Sequence, residues 1–424
     1  MGVGVAACVI AKNEEKNLPR LLESIRGKFD QIVVVDTGST DRTVEIARSY
    51  GCKVVKHRWQ GFADARNRAI SEVDAPVDWI WHFDADFELE EEEYRKALRA
   101  FKEIPPEVDS ISIGVRNFDQ FGRIKAISSH IFIHRNDPSI RWEGAVHESP
   151  TVKCTVGLPI FVNHYGYADL ETLLKKGKRN LELLKQELER YKGKDPFEYS
   201  LKLFFLIQTY TLLAREEPAF RKEALKACRE FFSISGNNLK DYGFFLVYTY
   251  NYYLFLLLQE ELYREFEEVL NNFKELKVEH PDILLLEFSY WRQLGNRKEA
   301  QEAILKFALL ADEVEKNPFA YPYTAVSEST LAFENMVIRG ELGFEPDEEF
   351  IERVRKLWRK KKGKFLGLLL YLLTNDEKVL KKVALRYPSV TSLILTLKSK
   401  LGGLPNDNSN QKTTTKEVGH GTED

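Results

Sequence analysis

Two short acidic strings in this chain carry residue types that could hold a nucleotide and a metal ion. "VVVDTGST" (33–40) leads three valines into Asp36, and "WIWHFDADFEL" (79–89) leads an apolar run into Asp84, Ala85 and Asp86. A carboxylate at the end of a buried strand can accept a hydrogen bond from a base N–H or a ribose hydroxyl. Gly38 suits the turn that follows because it takes φ > 0 without strain. Ser39, Thr40 or Asp41 can cap the next helix. Aspartates two apart on a strand point the same way. Their oxygens select Mg2+ or Mn2+, and such an ion would neutralise a departing diphosphate. Aspartic proteases also use an Asp-Thr-Gly-Ser string, but they need two copies on a β-rich fold. Here it occurs once and runs into a helix, so the protease reading is rejected.

The elements that must position these residues follow from periodicity. "GVAACVI", "QIVVV", "CKVVKH" and "DWIWHF" are continuous apolar strands. Between them, "NEEKNLPRLLESI", "DRTVEIARSYG" and "FADARNRAISEV" have helical spacing, and "EEEEYRKALRAFKEI" follows. Such alternation predicts a mostly parallel, Rossmann-like sheet with helices on both faces. Sheets of this kind bind ligands at the carboxyl ends of their strands. Residues 110 to 165 alternate more strictly and predict a smaller, partly antiparallel sheet. From about 171 to 400 the pattern is helical. "YWRQLGNRKEAQEAILKFALL" (290–310) reads as one tetratricopeptide (TPR)-like helix pair and "YTLLAREEPAFRKEALKACREFF" (210–232) as a looser copy. The apolar window 244–258 is short for a membrane span and contains Asn251, so a buried helix is expected. The polar end of the chain predicts a disordered tail. The expected organisation is an α/β domain over 1–168, an all-α domain over 169–400 and a tail over 401–424.

Composition narrows the function classes. The 424 residues suit two domains, with 43% hydrophobic and 30% charged content typical of a soluble globular protein. A net charge of −3 gives no reason to expect nucleic-acid binding. Four scattered cysteines argue against a disulfide scaffold or a zinc site and for a reducing compartment. The N-terminus reads as a first strand rather than a signal peptide. The expected location is cytoplasmic, with peripheral contact at the inner face of the membrane left open.

Taken together, "VIAKNEEKNLPRLLESI", "IVVVDTGSTDRTVEIA", "GFADARNRAI" and "FDADFEL", in this order and spacing, resemble glycosyltransferase family 2 of GT-A fold. The likeness covers roughly residues 4 to 168. "WEGAVHE" (142–148) and "NHYGY" (163–167), with helices after them, resemble the subgroup of lipopolysaccharide core β-glucosyltransferases and SunS-type peptide S-glycosyltransferases. The resemblance implies inverting transfer of a sugar from a nucleoside diphosphate sugar, usually a UDP-sugar, with Mg2+ or Mn2+. The acceptor is a peptide or protein, or a glycan or lipid. The helical region would shape the acceptor site or a homo-oligomer interface.

Carried over by position, the resemblance gives Ala11, Lys12, Asn13 and Glu14 the first nucleotide contacts. Asp36 would bind base or ribose. Arg66 would face the diphosphate or base, or else be a surface arginine, and Asn67 has the same open status. Asp84 and Ala85 would approach the ribose, with Asp84 also near the metal and Asp86 its main ligand. An inverting enzyme needs a carboxylate to deprotonate the acceptor. Glu148 is favoured because its neighbour His147 could ligate the metal, and Glu143 is the alternative. His164 would reach the diphosphate or sit satisfied in the core. Trp142 and Trp81 would stack on sugar or fill the core. Two other classes were weighed. A non-catalytic helical scaffold with an inactive GT-A domain would show broken nucleotide motifs, and these are intact. A nucleotidyltransferase would need a glycine-rich basic loop after the first strand, and "AKNEEKN" has no glycine.

Overall fold

The computed structural model describes residues 3–118, 124–144, 146–166, 170–316, 328–387 and 390. The expected tail over 401–424 and the expected boundary at 168/169 lie outside the described residues. The chain divides into two compact units, Met1–Leu331 and Ala332–Asp424. The first holds both the sheet and the first long run of helices.

The sheet has eight strands: β1 (Val5–Ala11), β2 (Gln31–Asp36), β3 (Lys53–Lys56), β4 (Trp79–Asp84), β5 (Phe87–Glu88), β6 (Ser110–Phe118), β7 (Ile124–Arg135) and β10 (Thr155–His164). Their spatial order is β3-β2-β1-β4-β7-β6-β10-β5. Strands β8 (Trp142–Glu143) and β9 (Ser149–Pro150) form a separate small ribbon. Strands β3, β2, β1 and β4 run parallel, as their continuous apolar character requires. Alternate residues of β1 face opposite sides. Val5, Ala7 and Val9 pack with Leu18, Leu21, Leu22 and Ile25 of α1 (Leu18–Ile25) and with Ala97 and Phe101 of α4 (Glu91–Glu103). Ala6, Cys8 and Ile10 pack with Ala65 and Ala69 of α3 (Phe62–Ser71). Helices therefore cover both faces.

Residues 110–165 correct one expectation. Apart from the small β8–β9 ribbon, their strands extend the first sheet: β7 pairs antiparallel with β4, Trp79 opposite Arg135, and β6 pairs antiparallel with β7. The antiparallel character was readable from alternation. The junction was not, because β7 covers the edge of β4 through a pairing some fifty residues apart in the chain.

Registers set the levels of the strand ends. Ala11 is the partner of Asp36, and Ile10 the partner of Asp84. The two acidic strings thus finish side by side at one carboxyl edge. Strand order reverses between β1 and β4, where open α/β sheets form ligand crevices.

Helices α5 (Leu170–Tyr191), α6 (Pro196–Leu213), α7 (Phe220–Ser235), α8 (Leu239–Gln259), α9 (Tyr263–Glu275), α10 (Pro281–Gln293) and α11 (Arg297–Lys316) follow. Both expected helix pairs are present: α6 with α7, and α10 with α11 around Gly295 at φ +71°. The apolar window 244–258 lies inside α8, with Leu246, Val247, Leu254 and Leu256 buried and Phe244 and Phe255 exposed, and no described helix is long and apolar enough to cross a membrane. Val146 of the sheet domain belongs to the helical core, with Leu203, Phe204 and Leu254. The second unit contains α13 (Glu348–Lys361), α14 (Lys364–Thr374) and α15 (Glu377–Arg386).

Strands β6 and β10 come close where Gly114 faces Phe161, and a Cβ on Gly114 would overlap that ring. Gly114→Ala is expected to destabilise the chain by about 1–3 kcal/mol through overpacking. Chemical denaturation measures this, with Phe161→Leu in the same chain recovering part of the loss.

Candidate active site

A cavity of about 660 Å³ opens at the carboxyl edge of β1, β2 and β4. Ala11, Lys12, Glu14, Arg66, Asp84, Ala85, Asp86, His147, Glu148 and His164 line it. These residues come from five separate stretches of sequence.

The first wall is a pair of interlocked loops. Asn13 sits at φ +57°, its N–H donates to Ser39 Oγ (2.9 Å), and its Oδ1 accepts from Thr40 N (2.8 Å). Glu14 N donates to Thr43 Oγ1 (2.8 Å). Asp36 is 3% exposed and accepts from Ser39 N (3.0 Å). Thr37, next to Asp36, lines the cavity. Asn13 is thus engaged in holding the "GSTDR" turn. Glu14 does face the cavity, and its carboxyl is raised above the usual range, mainly by burial and further by Asp86 and Asp84.

Arg66 is the centre of the second wall. It is 2% exposed, so the surface alternative falls. Its Nε donates to Glu148 Oε1 (2.7 Å) and its Nη2 to Asp84 Oδ1 (2.8 Å). The guanidinium lies 4.8 Å from the Trp142 ring centre and 5.3 Å from that of Phe132. Nη1 is buried with no hydrogen-bond partner among the described residues. Asn67 clamps Trp142 from both sides, donating to its carbonyl (2.9 Å) and accepting from its N–H (2.8 Å). Trp142 Nε1 donates to His82 Nε2 (3.1 Å), and Trp81 stacks on Phe83 in the core. Both tryptophans fill space rather than offer a face to a sugar. Burial raises the Glu148 carboxyl above its usual range; Arg66 opposes this and Asp84 adds to it.

Asp86 makes the third wall. It is 7% exposed, and its Oδ1 has no hydrogen-bond partner among the described residues. Its Oδ2 lies 3.3 Å from His164 Nε2 and 3.9 Å from Lys176 Nζ. Burial opposes its ionisation, but His164 and Lys176 outweigh that and hold the carboxyl below the usual range. Asn117 donates its amide to Val115 O and Ser128 Oγ, so its Oδ1 accepts from His164 Nδ1 (2.6 Å). That tautomer turns His164 Nε2 toward Asp86 as either a charged donor or a lone pair. Gly166 is required here, since a Cβ would overlap the Asp86 carboxylate.

His147 lines the cavity as well, but at φ +56° it stacks its ring on Phe205, 3.9 Å between centres. The histidine beside Asp86 is His164. Glu143 is exposed on β8 and is not among the residues lining the cavity. The sequence reading missed Gly166, Lys176 and Arg179, together with Gln208 and Thr209 of α6, which close the cavity. "NHYGY" was the available signal for Gly166; nothing local marked the helical residues.

Residues 6–152 match the family model described as Glycosyl transferase family 2. A TPR repeat-containing protein of Synechococcus elongatus is 32% identical over 210 residues, covering 45% of this chain and 49% of its own. The SPbeta prophage-derived glycosyltransferase SunS of Bacillus subtilis is 28% identical over 240 residues, 53% of each chain. An uncharacterized glycosyltransferase of Rickettsia felis is 32% identical over 153 residues, 36% of this chain and 46% of its own. The chain spans about half the length of these curated relatives. A solved structure of S. aureus TarS residues 1–349 with UDP aligns at a TM-score of 0.35 and 14% identity, over 64% of this chain and 92% of that one. Likeness this loose carries no inference about ligands.

Removing Arg66 would strand two carboxylates. Arg66→Met is expected to cost about 3–5 kcal/mol at neutral pH. The deficit should shrink as pH falls, because Glu148, whose carboxyl burial already raises, then takes up a proton and one unpaired charge is removed. Denaturation at pH 7 and pH 5 tests this.

Proposed function

From a chain whose residues 6–152 belong to glycosyl transferase family 2, we propose an inverting transferase that moves a sugar from a nucleoside diphosphate sugar to a hydroxyl or thiol acceptor. One observation carries the reading. The registers of β1 with β2 and β4 bring Asp36, Asp84 and, just beyond, Asp86 to one edge, and Glu148 enters the same cavity from the opposite strand segment. A scaffold with an inactive domain has no need of that convergence.

The residues divide the work. The loops at Lys12–Glu14 and Asp36–Thr37 receive the nucleoside. Glu148 is the base rather than Glu143, because it lines the cavity and Glu143 does not. It takes the proton from the acceptor O–H or S–H as the freed oxygen or sulfur bonds to sugar C1. The C1–O bond to the diphosphate breaks, and its electron pair leaves with the phosphate. Asp86 Oδ1, unpartnered and buried, and the facing pair of Asp86 Oδ2 and His164 Nε2 fit a divalent cation with oxygen and nitrogen donors. No cluster of three or more His, Cys, Asp or Glu able to hold an ion exists among the described residues. Asp86 and His164 would therefore hold Mg2+ or Mn2+ only together with donor phosphates, which commonly complete an Mg2+ site. When bound, the cation would supply positive charge for the leaving diphosphate. Arg66 keeps Asp84 and Glu148 in place.

The donor is a UDP-sugar on this reading, and the acceptor a peptide, glycan or lipid presented by the helices. Calorimetry with UDP, with and without Mn2+, and mass spectrometry of slow donor hydrolysis test the nucleotide. Asp86→Ala should abolish Mn2+-dependent binding and transfer; unchanged turnover would sink the assignment.

Glu148→Gln should keep donor binding and lose transfer by about 10²–10⁴-fold, the usual worth of a general base. Burial raises the Glu148 carboxyl, so kcat/KM should fall as pH drops through a value above the ordinary glutamate range. A pH–rate profile without that acid limb would remove Glu148 from the role.

A further inference from the structure

The family match ends at residue 152, but the cavity does not. Helix α5 contributes Lys176, Gly177 and Arg179 to its wall, and α6 contributes Gln208 and Thr209. Resting on the sugar transfer proposed above, we propose that Lys176 is the cation that receives the leaving diphosphate. The helical region then completes the donor site as well as meeting the acceptor.

Placement is the first support. Lys176 Nζ lies 3.9 Å from Asp86 Oδ2 and donates to Gly166 O at 3.3 Å. The ammonium therefore stands beside the carboxylate that faces the donor phosphates. Its side chain is 36% exposed, so it reaches the cavity without leaving its helix.

Charge is the second. Glu14, Asp84, Asp86 and Glu148 all line the cavity. Arg66 is the obvious counter-charge, but its Nε and Nη2 are held by Glu148 and Asp84. Its Nη1 is left without a partner among the described residues, but the two bonded carboxylates already offset its single charge. Lys12 follows β1, at the nucleoside end. Arg179 donates to Asn180 Oδ1 and lies 5.1 Å from the Phe62 ring centre. Lys176 is the cation placed at the phosphate end. A lysine suits this task, because a compact charge on a flexible stem can follow the phosphate as it departs.

Packing is the third. A Cβ on Gly177 would already lie 3.3 Å from Leu212 and Leu213 of α6. The absence of a larger side chain lets α5 sit close on α6, which fixes where Lys176 emerges.

The test is calorimetry on the full chain with Mn2+, comparing wild type, Lys176→Ala and Lys176→Arg. Each is titrated with UDP and GDP and with uridine and guanosine. Lys176→Ala should weaken the preferred nucleoside diphosphate by about tenfold or more, the worth of one hydrogen bond to a charged group. It should leave the matching nucleoside unchanged, and Lys176→Arg should recover most of the loss. Diphosphate affinity equal to wild type in Lys176→Ala overturns the inference. So does a parallel loss of nucleoside binding, which would make Lys176 merely the tether of Gly166. A folded wild type that binds neither nucleotide overturns the sugar-transfer reading, and this inference with it.

Discussion

The buried charge of Arg66 is the constraint on which the rest of the site depends. A guanidinium removed from water costs several kcal/mol unless its donors are matched. Matching it here takes Asp84 at the end of β4 and Glu148 directly before β9 of the small ribbon. Those residues lie 18 and 82 positions from Arg66 in the chain. The electron-rich faces of Trp142 and Phe132 enclose the same cation. Asn67, the next residue of α3, grips the Trp142 backbone. Two consecutive helix residues thus hold both Trp142 and Glu148. Trp142 Nε1 donates to His82 Nε2, which stands 3.0 Å from His134 Nε2, and burial lowers both imidazole pKa values.

This explains which parts of the site were legible in the sequence. Strand ends are marked locally: an apolar run stops, and an acidic residue and a turn follow. Asp36, Asp84 and Asp86 could be found that way, and parallel pairing then had to bring them level. Both faces of the sheet and the two helix pairs were readable by the same periodicity. The burial of Arg66 was not. "FADARNRAIS" carries charge on several sides, and its partners come from distant segments. Proximity to Glu148 in sequence suggested a shared cleft for His147, and both line the cavity; the stacking of its imidazole on Phe205 of a distant helix had no local signal. Lys176 has nothing local to separate it from Lys175 or Lys178.

The segment that leads to Glu148 is therefore anchored twice. Trp142 is held by α3 beside the sheet, and Val146 is held by the core of α6 and its neighbours. A carboxylate mounted next to two packed anchors keeps its direction, as the general base proposed for it requires. The same arrangement explains why helices close the cavity. Once Val146 and His147 are seated on α6, that helix and its partner α5 have no other place to present Gln208, Thr209 and Lys176.

Within this one cavity, two carboxylates are pushed in opposite directions. Burial acts on both and favours the neutral form. At Asp86 it is overcome by His164 and Lys176, so the group stays an anion across the physiological range. At Glu148 it prevails, because the Arg66 charge that opposes it is shared with Asp84, whose own charge adds to the push. An acid held ionised is suited to keeping a cation, and an acid raised toward neutrality is suited to gaining and passing on a proton. Opposed shifts of this kind assign roles more firmly than residue type does. Here they follow from where one arginine divides its bonds.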